Sequence, residues 1–88
     1  MKISPFFEGM SVLDMGCGTG THLKIYEKKG CQVTGIDSSP AMLDVARAKL
    51  NKDAALHLGS AARIPFSDAS FDFVIMMFLL HQVRPQIR

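Results

Sequence analysis

The stretch from Val12 to Gly20 reads Val-Leu-Asp-Met-Gly-Cys-Gly-Thr-Gly. Two branched apolar residues and an acid lead into three glycines at alternate positions, and residues 22–29 then have the polarity of a surface helix. We interpret this as a buried strand, a tight glycine turn and the start of a helix. Such a turn lets a ligand lie against the backbone and directs amide N–H groups at it. The sequence therefore predicts a ligand cleft over this turn.

The rest of the chain continues the alternation of strands and helices. We predict strand 1 at 12–15, a helix from 19–21 to 29, and strand 2 at 32–36 ending at Asp37. A second helix starts at Pro40 and is closed by residues 51–53, and strands 3 and 4 follow at 55–58 and 71–80. Crossovers of this kind give an α/β fold, a Rossmann-like parallel sheet in the order 3-2-1-4. Ligands of such sheets bind at the carboxyl ends of the strands, where the strand order reverses, and the glycine turn lies there.

Local signals support these elements. Gly30 suits the position after the first helix, while Ser39 and Pro40 suit the cap and first turn of the second. The buried stripe of the second helix is predicted to be Met42, Leu43, Ala46 and Leu50. We expect Phe6 and Phe7 to form a short aromatic cap on the domain, and residues 59–64 and 65–70 to form a loop and a turn before strand 4. His22 and His57 are assigned to the surface.

Composition bounds the class of protein. The 88 residues allow one small domain, residues 1–88, and 48% apolar residues suffice for a core. The net charge of +2 is weak and scattered, which argues against a nucleic-acid partner. No apolar run approaches the ~20 residues of a membrane helix. Cys17 and Cys31 form no metal-binding spacing, and two free thiols suit a cytoplasmic protein.

The residues alone leave two cofactor classes open. A dinucleotide fingerprint has the spacing G-x-G-x-x-G, but Thr21 stands at its sixth position and the glycines read G-x-G-x-G. Asp37 follows strand 2 at a distance that suits a ribose-binding acid in either class, because a carboxylate there accepts from both ribose hydroxyls.

A resemblance separates the two classes. The stretch at 12–20 closely resembles motif I of class I S-adenosylmethionine-dependent methyltransferases. Gly-Ile-Asp-Ser-Ser-Pro-Ala-Met-Leu at 35–43, the stretch at 59–74 and Leu-Leu-His-Gln-Val at 79–83 are similar to the motifs that follow it in that family. The nearest branch is the small-molecule type, such as the ubiquinone and menaquinone biosynthesis methyltransferases.

The resemblance implies S-adenosyl-L-methionine as cofactor, with S-adenosyl-L-homocysteine as product. It implies that Asp14 fixes the turn and the amino-acid end of the cofactor, and that Asp37 binds the ribose. The other implied cofactor-binding residues are Gly16, Cys17, Gly18 and Gly20 in the turn, Ser38 and Met42 beside the adenine, Ser60 and Ala61 at its edge, and Leu79 near the methyl group. It names no catalytic residue and no metal ligand.

Two departures from the family pattern qualify the resemblance. Ser60 stands where the family usually has an aspartate that accepts from the adenine amino group. The family's domain also continues with further strands and helices that this sequence lacks, so the chain matches a truncated N-terminal half. The leading hypothesis is the cofactor-binding part of a methyltransferase with a small-molecule acceptor. The alternative is an inactive module that binds the cofactor weakly or serves as a protein-interaction domain. A nicotinamide-dependent oxidoreductase is a third reading.

Strand 4 also leads to an expectation about assembly. If it runs unbroken through 71–80 with no fifth strand, then residues 73–79 form a long apolar edge with unpaired backbone groups. No lysine or proline protects that edge. We therefore expect a homodimer through strand 4. The alternative is that residues 81–88 fold back and cover the edge.

Overall fold

The computed structural model describes residues 8–60, 71–76 and 79–82. Within these ranges the elements are β1 (Ser11–Met15), α1 (Thr21–Lys28), β2 (Gln32–Asp37), α2 (Pro40–Lys49), β3 (Ala55–Leu58), β4 (Phe73–Met76) and β5 (Leu79–Gln82). The first five elements match the predicted ones to within a residue or two at each end. The predicted aromatic cap at Phe6 and Phe7, and the loop and turn between residues 61 and 70, lie outside the described residues.

The strands form one sheet in the order β3-β2-β1-β4-β5. The pairs β2–β3, β1–β2 and β1–β4 are all parallel, which confirms the predicted 3-2-1-4 order and the α/β class. Asp14 of β1 lies between Gly35 of β2 and Ile75 of β4. The carboxyl ends of the central strands therefore meet at one edge, and the glycine turn leaves from that edge.

The sheet has a buried cluster on each face. One cluster joins sheet residues to both helices, and it contains Val12, Cys17, Leu23, Cys31, Val33, Leu43, Ala46, Leu50, Phe73 and Ile75. The other cluster contains Leu13, Ile36, Phe71 and Val74. Successive residues of a strand point to opposite faces, so β1 contributes Val12 to the first cluster and Leu13 to the second. The central strands are thus apolar on both sides.

The ends of the helices follow the predicted signals. Gly30, which follows the C-cap of α1, has φ 89°, a left-handed conformation that favours glycine. The Ser39 Oγ accepts a hydrogen bond from the Met42 N–H at 3.3 Å, and Pro40 occupies the first turn of α2. The inclusion of Met42 in the buried stripe was wrong, because its side chain is 44% exposed. Leu43 and Ala46 face the core, whereas Met42 is rotated about 100° from Leu43 around the helix axis.

The prediction of a single strand at 71–80 was wrong. β4 ends at Met76, and β5 runs back along it antiparallel, with Met76 opposite Leu79 and Phe73 opposite Gln82. An unbroken apolar run is compatible with a buried strand followed by a more exposed edge strand as well as with one long buried strand, so the pattern did not reveal the reversal. β5 supplies hydrogen bonds to the edge of β4 that was expected to be unpaired. The homodimer stays a prediction, without that structural argument.

A side-chain contact lies at the beginning of the paired segments of β1 and β4. The Asp72 Oδ2 accepts hydrogen bonds from the backbone N–H of Ser11 at 2.9 Å and from its hydroxyl at 3.2 Å. The Asp72 N–H in turn donates to the Ser11 carbonyl oxygen at 3.0 Å. This buried carboxylate therefore aligns the start of β4 with the start of β1, ahead of the first paired residues, Val12 and Phe73.

Candidate functional site

The glycine turn leaves β1 in left-handed backbone conformations. Gly16, Gly18 and Gly20 have φ 81°, 55° and 82°, values that residues with a side chain rarely adopt. A Cβ built on Gly16 or Gly18 would meet nothing within 4 Å. These two glycines therefore border open space, as expected where a ligand approaches the backbone closely.

Gly20 has a different environment. A Cβ at this position would lie 3.2 Å from the Ala46 Cβ and 3.3 Å from the Leu50 Cδ1. Next to it, the Lys49 Nζ donates to the hydroxyls of Thr19 and Thr21 at 3.4 and 3.2 Å. The structure thus assigns Gly20 a role in packing α1 against α2, and its contact with a cofactor stays a prediction.

The amide groups of the turn are engaged within the chain. The N–H groups of Gly16 and Cys17 both donate to the Ile36 carbonyl oxygen, at 2.8 and 2.9 Å, and the Gly20 N–H donates to the Cys17 carbonyl oxygen at 2.9 Å. The expectation that the turn directs its N–H groups at a ligand was therefore wrong for these residues. The N–H groups of Gly16, Cys17 and Gly20 therefore have acceptors within the chain, in β2 and in the turn itself, and are not offered to a ligand.

Asp37 joins the glycine turn to the next turn of the chain. Its Oδ2 accepts from the Gly18 N–H at 2.7 Å, and its Oδ1 accepts from the Ser39 N–H at 2.9 Å. One carboxylate at the end of β2 thus holds both the β1–α1 and the β2–α2 connections. It also places a negative charge directly against the glycine turn.

Asp14 is the buried acid of the site. It is only 4% exposed at the end of β1, and burial raises the pKa of its carboxyl from 3.8 to about 6. The charge of Asp37 raises this pKa further, whereas His22, in the first turn of α1, lowers it. His22 is half-buried, so the sequence-based assignment to the surface missed its contribution to the site.

No hydrogen bond to the Asp14 carboxylate is present among the described residues, and none of their fully buried side-chain oxygens or nitrogens lacks a partner. Its oxygens are therefore not fully enclosed. A buried carboxylate with no donor among the described residues is suited to a cationic or hydrogen-bond-donating group of a ligand.

Cys17 has a structural environment. Its side chain is buried, and its Sγ lies where a Cβ on Gly35 would come within 2.8 Å. Burial, and then the charges of Asp14 and Asp37, raise the pKa of the Cys17 thiol to about 11. A thiol with so high a pKa is a poor nucleophile at neutral pH. Cys17 therefore packs the turn against β2.

The remaining predicted residues lie mostly at the same edge of the sheet. Ser38 and Met42 follow Asp37 and are exposed, and Ser60 follows the end of β3. Leu79 lies at this edge too, since it pairs with the last residue of β4, but it belongs to β5 and is 64% exposed. Ala61 lies outside the described residues.

Leu58 is a further candidate for the site that the sequence did not indicate. It pairs with Asp37 at the carboxyl end of β3, and its side chain is 63% exposed. A large apolar side chain in water beside a carboxylate suits the flat face of a heterocycle. The sequence gives no sign of this exposure, because Leu58 is simply the last apolar residue of a short predicted strand.

A cleft of about 560 Å³ lies at the opposite edge of the sheet, lined by Glu27, Gly30, Cys31, Gln32, Val33, Thr34, Asn51, Asp53, Ala54 and Ala55. These residues are at the amino ends of β2 and β3, away from the glycine turn. Ligands of open parallel sheets bind at the carboxyl ends. We therefore place the candidate site at the turn. Within the described ranges, no group of three or more His, Cys, Asp or Glu residues could hold a metal ion.

Comparison with known proteins agrees with this architecture. Residues 12–88 match the family described as methyltransferase domain. The demethylmenaquinone methyltransferase of Tropheryma whipplei is 40% identical over 76 residues, which are 85% of this chain and 32% of that protein.

Two solved structures show the same fold. A Listeria monocytogenes protein, described as a putative S-adenosylmethionine-dependent methyltransferase, superposes with a TM-score of 0.71 at 30% identity, over 81% of this chain and 33% of its own. An amino pentose methyltransferase from Micromonospora echinaspora with bound S-adenosylmethionine superposes with a TM-score of 0.66 at 36% identity, over 75% and 27% of the two chains.

This chain belongs to the methyltransferase domain family, and its fold is that of the class I S-adenosylmethionine-dependent methyltransferases. It spans about a third of the length of the relative and of the Listeria structure. No helix in the described part of the chain is long and apolar enough to span a membrane.

Proposed function

We propose that this chain binds S-adenosylmethionine as the cofactor-binding part of a methyltransferase with a small-molecule acceptor. The observation that carries the proposal is the Asp37 carboxylate, which accepts from the Gly18 N–H at 2.7 Å. In a dinucleotide site the pyrophosphate lies against the glycine turn and the helix N-terminus. In this chain the N–H groups of Gly16, Cys17 and Gly18 already have acceptors within the chain, so they are not offered to a pyrophosphate, and a cofactor without phosphate does not need them.

The chemistry of the side chains fits this cofactor. Asp14 offers a buried carboxylate to the α-ammonium group, next to the open space at Gly16 and Gly18. We assign the ribose hydroxyls to Asp37. We assign the adenine to Ser38, Met42 and Leu58, near the carboxyl ends of β2 and β3, and its edge to Ser60 and, from the sequence alone, Ala61. Cys17, Gly20 and Leu79 complete the proposed set at the turn and at β5.

S-adenosylmethionine, when bound, supplies an activated methyl group on a sulfonium. The residues of this chain would orient the cofactor and exclude water from it, and the proposal assigns no residue to proton transfer. Alignment alone contributes much of the rate in such displacements. The Tropheryma relative is named for demethylmenaquinone, which supports a small organic acceptor.

Isothermal calorimetry with S-adenosylhomocysteine, and with NAD as the control ligand, tests the proposal. We expect binding of S-adenosylhomocysteine and none of NAD. Asp37→Ala should weaken binding by about 1.5–3 kcal/mol, the contribution of hydrogen bonds to a charged group. Asp44→Ala, which removes an exposed acid of α2, is the matched control and should bind normally. Binding of NAD, or an unchanged Kd for Asp37→Ala, would contradict the proposal.

A transfer assay separates the leading function from the inactive module. Radiolabelled S-adenosylmethionine is incubated with the chain and a demethylated quinol, and methyl incorporation is counted. Transfer above the Asp37→Ala background supports the enzyme. Binding without transfer to this acceptor supports the module that holds the cofactor without using it.

A further inference from the structure

Asp37 makes two contacts that ribose binding does not require. Its Oδ2 accepts from the Gly18 N–H and its Oδ1 from the Ser39 N–H, so each oxygen has one backbone partner in the ligand-free chain. A carboxylate oxygen has two acceptor positions. Among residues 8–60, 71–76 and 79–82, no further donor to these oxygens is seen, which leaves one acceptor position on each for the two hydroxyls of a ribose.

Gly18 depends on this contact more than its neighbours do. The N–H groups of Gly16 and Cys17 share a backbone acceptor, the Ile36 carbonyl oxygen, which belongs to the sheet. The N–H of Gly18 donates to a side chain, and Gly18 has φ 55° with open space where a Cβ would be. The middle of the turn is thus held by a group that a substitution can remove without disturbing the sheet hydrogen bonds.

We propose that Asp37 is a positioning residue for the glycine turn as well as the ribose acceptor, so that it shapes the surface for the amino-acid end of the cofactor before ribose arrives. This inference rests on the proposed function. If Asp37 positions the turn, its loss should weaken the binding even of ligands that have no ribose hydroxyl to donate to the Asp37 carboxylate. If the turn is already held in the conformation that binds the cofactor, binding does not have to order it. The entropic cost of that ordering is avoided, and the affinity is higher.

A cycle of two ligands and two proteins tests the inference. The ligands are S-adenosylhomocysteine and its 2′,3′-dideoxy analogue, and the proteins are the unmodified chain and Asp37→Ala, with Asp44→Ala as the control. If Asp37 only accepts from ribose, the dideoxy analogue binds Asp37→Ala and the unmodified chain equally. We expect Asp37→Ala to bind the analogue about tenfold more weakly, the effect of one charge-assisted hydrogen bond. Equal Kd values for the analogue would overturn the inference.

Amide hydrogen exchange gives a readout without any ligand. In Asp37→Ala the Gly18 amide should lose protection, while the amides of Gly16 and Cys17 keep theirs, because the Ile36 carbonyl oxygen is unchanged. Equal loss at all three amides would show general destabilisation and would overturn the positioning role. If Asp37→Ala does not fold, Asp37→Asn serves instead. Its single acceptor oxygen cannot replace both, so protection should fall at Gly18 or Ser39, and no change at either overturns the inference.

The two readouts also separate this inference from the proposed function. If the unmodified chain binds neither ligand, the proposed function is wrong and the positioning role for a cofactor falls with it. If S-adenosylhomocysteine binds but the analogue is insensitive to Asp37→Ala, the proposed function stands and only the positioning role is wrong.

Discussion

The buried Asp14 carboxylate makes the stability of the ligand-free chain depend on pH. Burial raises the pKa of this group from 3.8 to about 6, so the folded state binds the proton more tightly than the unfolded state does. Its contribution to the free energy of unfolding is therefore fully present below pH 3.8 and is lost as the pH rises to about 6. At about 1.4 kcal/mol per pKa unit, the loss is about 3 kcal/mol.

Asp14→Asn removes the titration while keeping the shape of the side chain. We expect its free energy of unfolding, measured by urea denaturation and compared with that of the unmodified chain, to gain about 2–3 kcal/mol between pH 4 and pH 7, because a small part of the full loss already occurs below pH 4. Any cost of burying the amide is the same at every pH, so it does not affect this change. Asp44→Asn, at an exposed position, should show no such trend. A difference between Asp14→Asn and the unmodified chain that stays constant with pH would show that Asp14 does not have a raised pKa in the folded chain.

Three further substitutions test particular contacts. Gly35→Ala would place a Cβ 2.8 Å from the Cys17 Sγ and should lower the free energy of unfolding, measured by urea denaturation, by about 1–3 kcal/mol. Adding Cys17→Ala should recover part of that loss. No recovery would contradict the contact between Gly35 and Cys17. Asp72→Ala leaves the Ser11 N–H without its 2.9 Å acceptor and should cost about 1–3 kcal/mol, so an unchanged midpoint would be evidence against that contact. Ser60→Asp restores the family's acceptor for the adenine amino group and should tighten S-adenosylhomocysteine binding by about 1 kcal/mol in calorimetry. Weaker binding by the folded variant would show that the adenine lies elsewhere.

The order of the elements could be predicted because the local signals agreed with the fold. The left-handed Gly30, the Ser39 cap and the apolar run into Asp14 each mark an element without reference to distant residues. The reversal between β4 and β5 could not be predicted in this way. No glycine, asparagine or proline interrupts the apolar run from 73 to 80, so nothing local distinguishes one long strand from two short ones.

The site was predictable in position but not in its hydrogen bonds. The acids after β1 and β2 mark its place, because parallel strands bring their carboxyl ends together. That Asp37 would bond to the Gly18 N–H, or that His22 would lower the pKa of Asp14, depends on approaches between separate elements. The exposure of Met42 and Leu58 likewise follows from how α2 lies along the sheet, which periodicity does not give.

The most direct test of the central claim is a titration of the ¹⁵N-labelled chain with S-adenosylhomocysteine, followed by its amide resonances. We expect the largest shifts at the carboxyl edge of the sheet, at Gly16, Gly18, Asp37 and Ser38, with smaller shifts at Leu58. The amides around the cleft at the other edge, such as those of Thr34 and Asn51, should stay in place. Shifts confined to Thr34 and Asn51, or no shifts at saturating ligand, would contradict a cofactor site at the glycine turn.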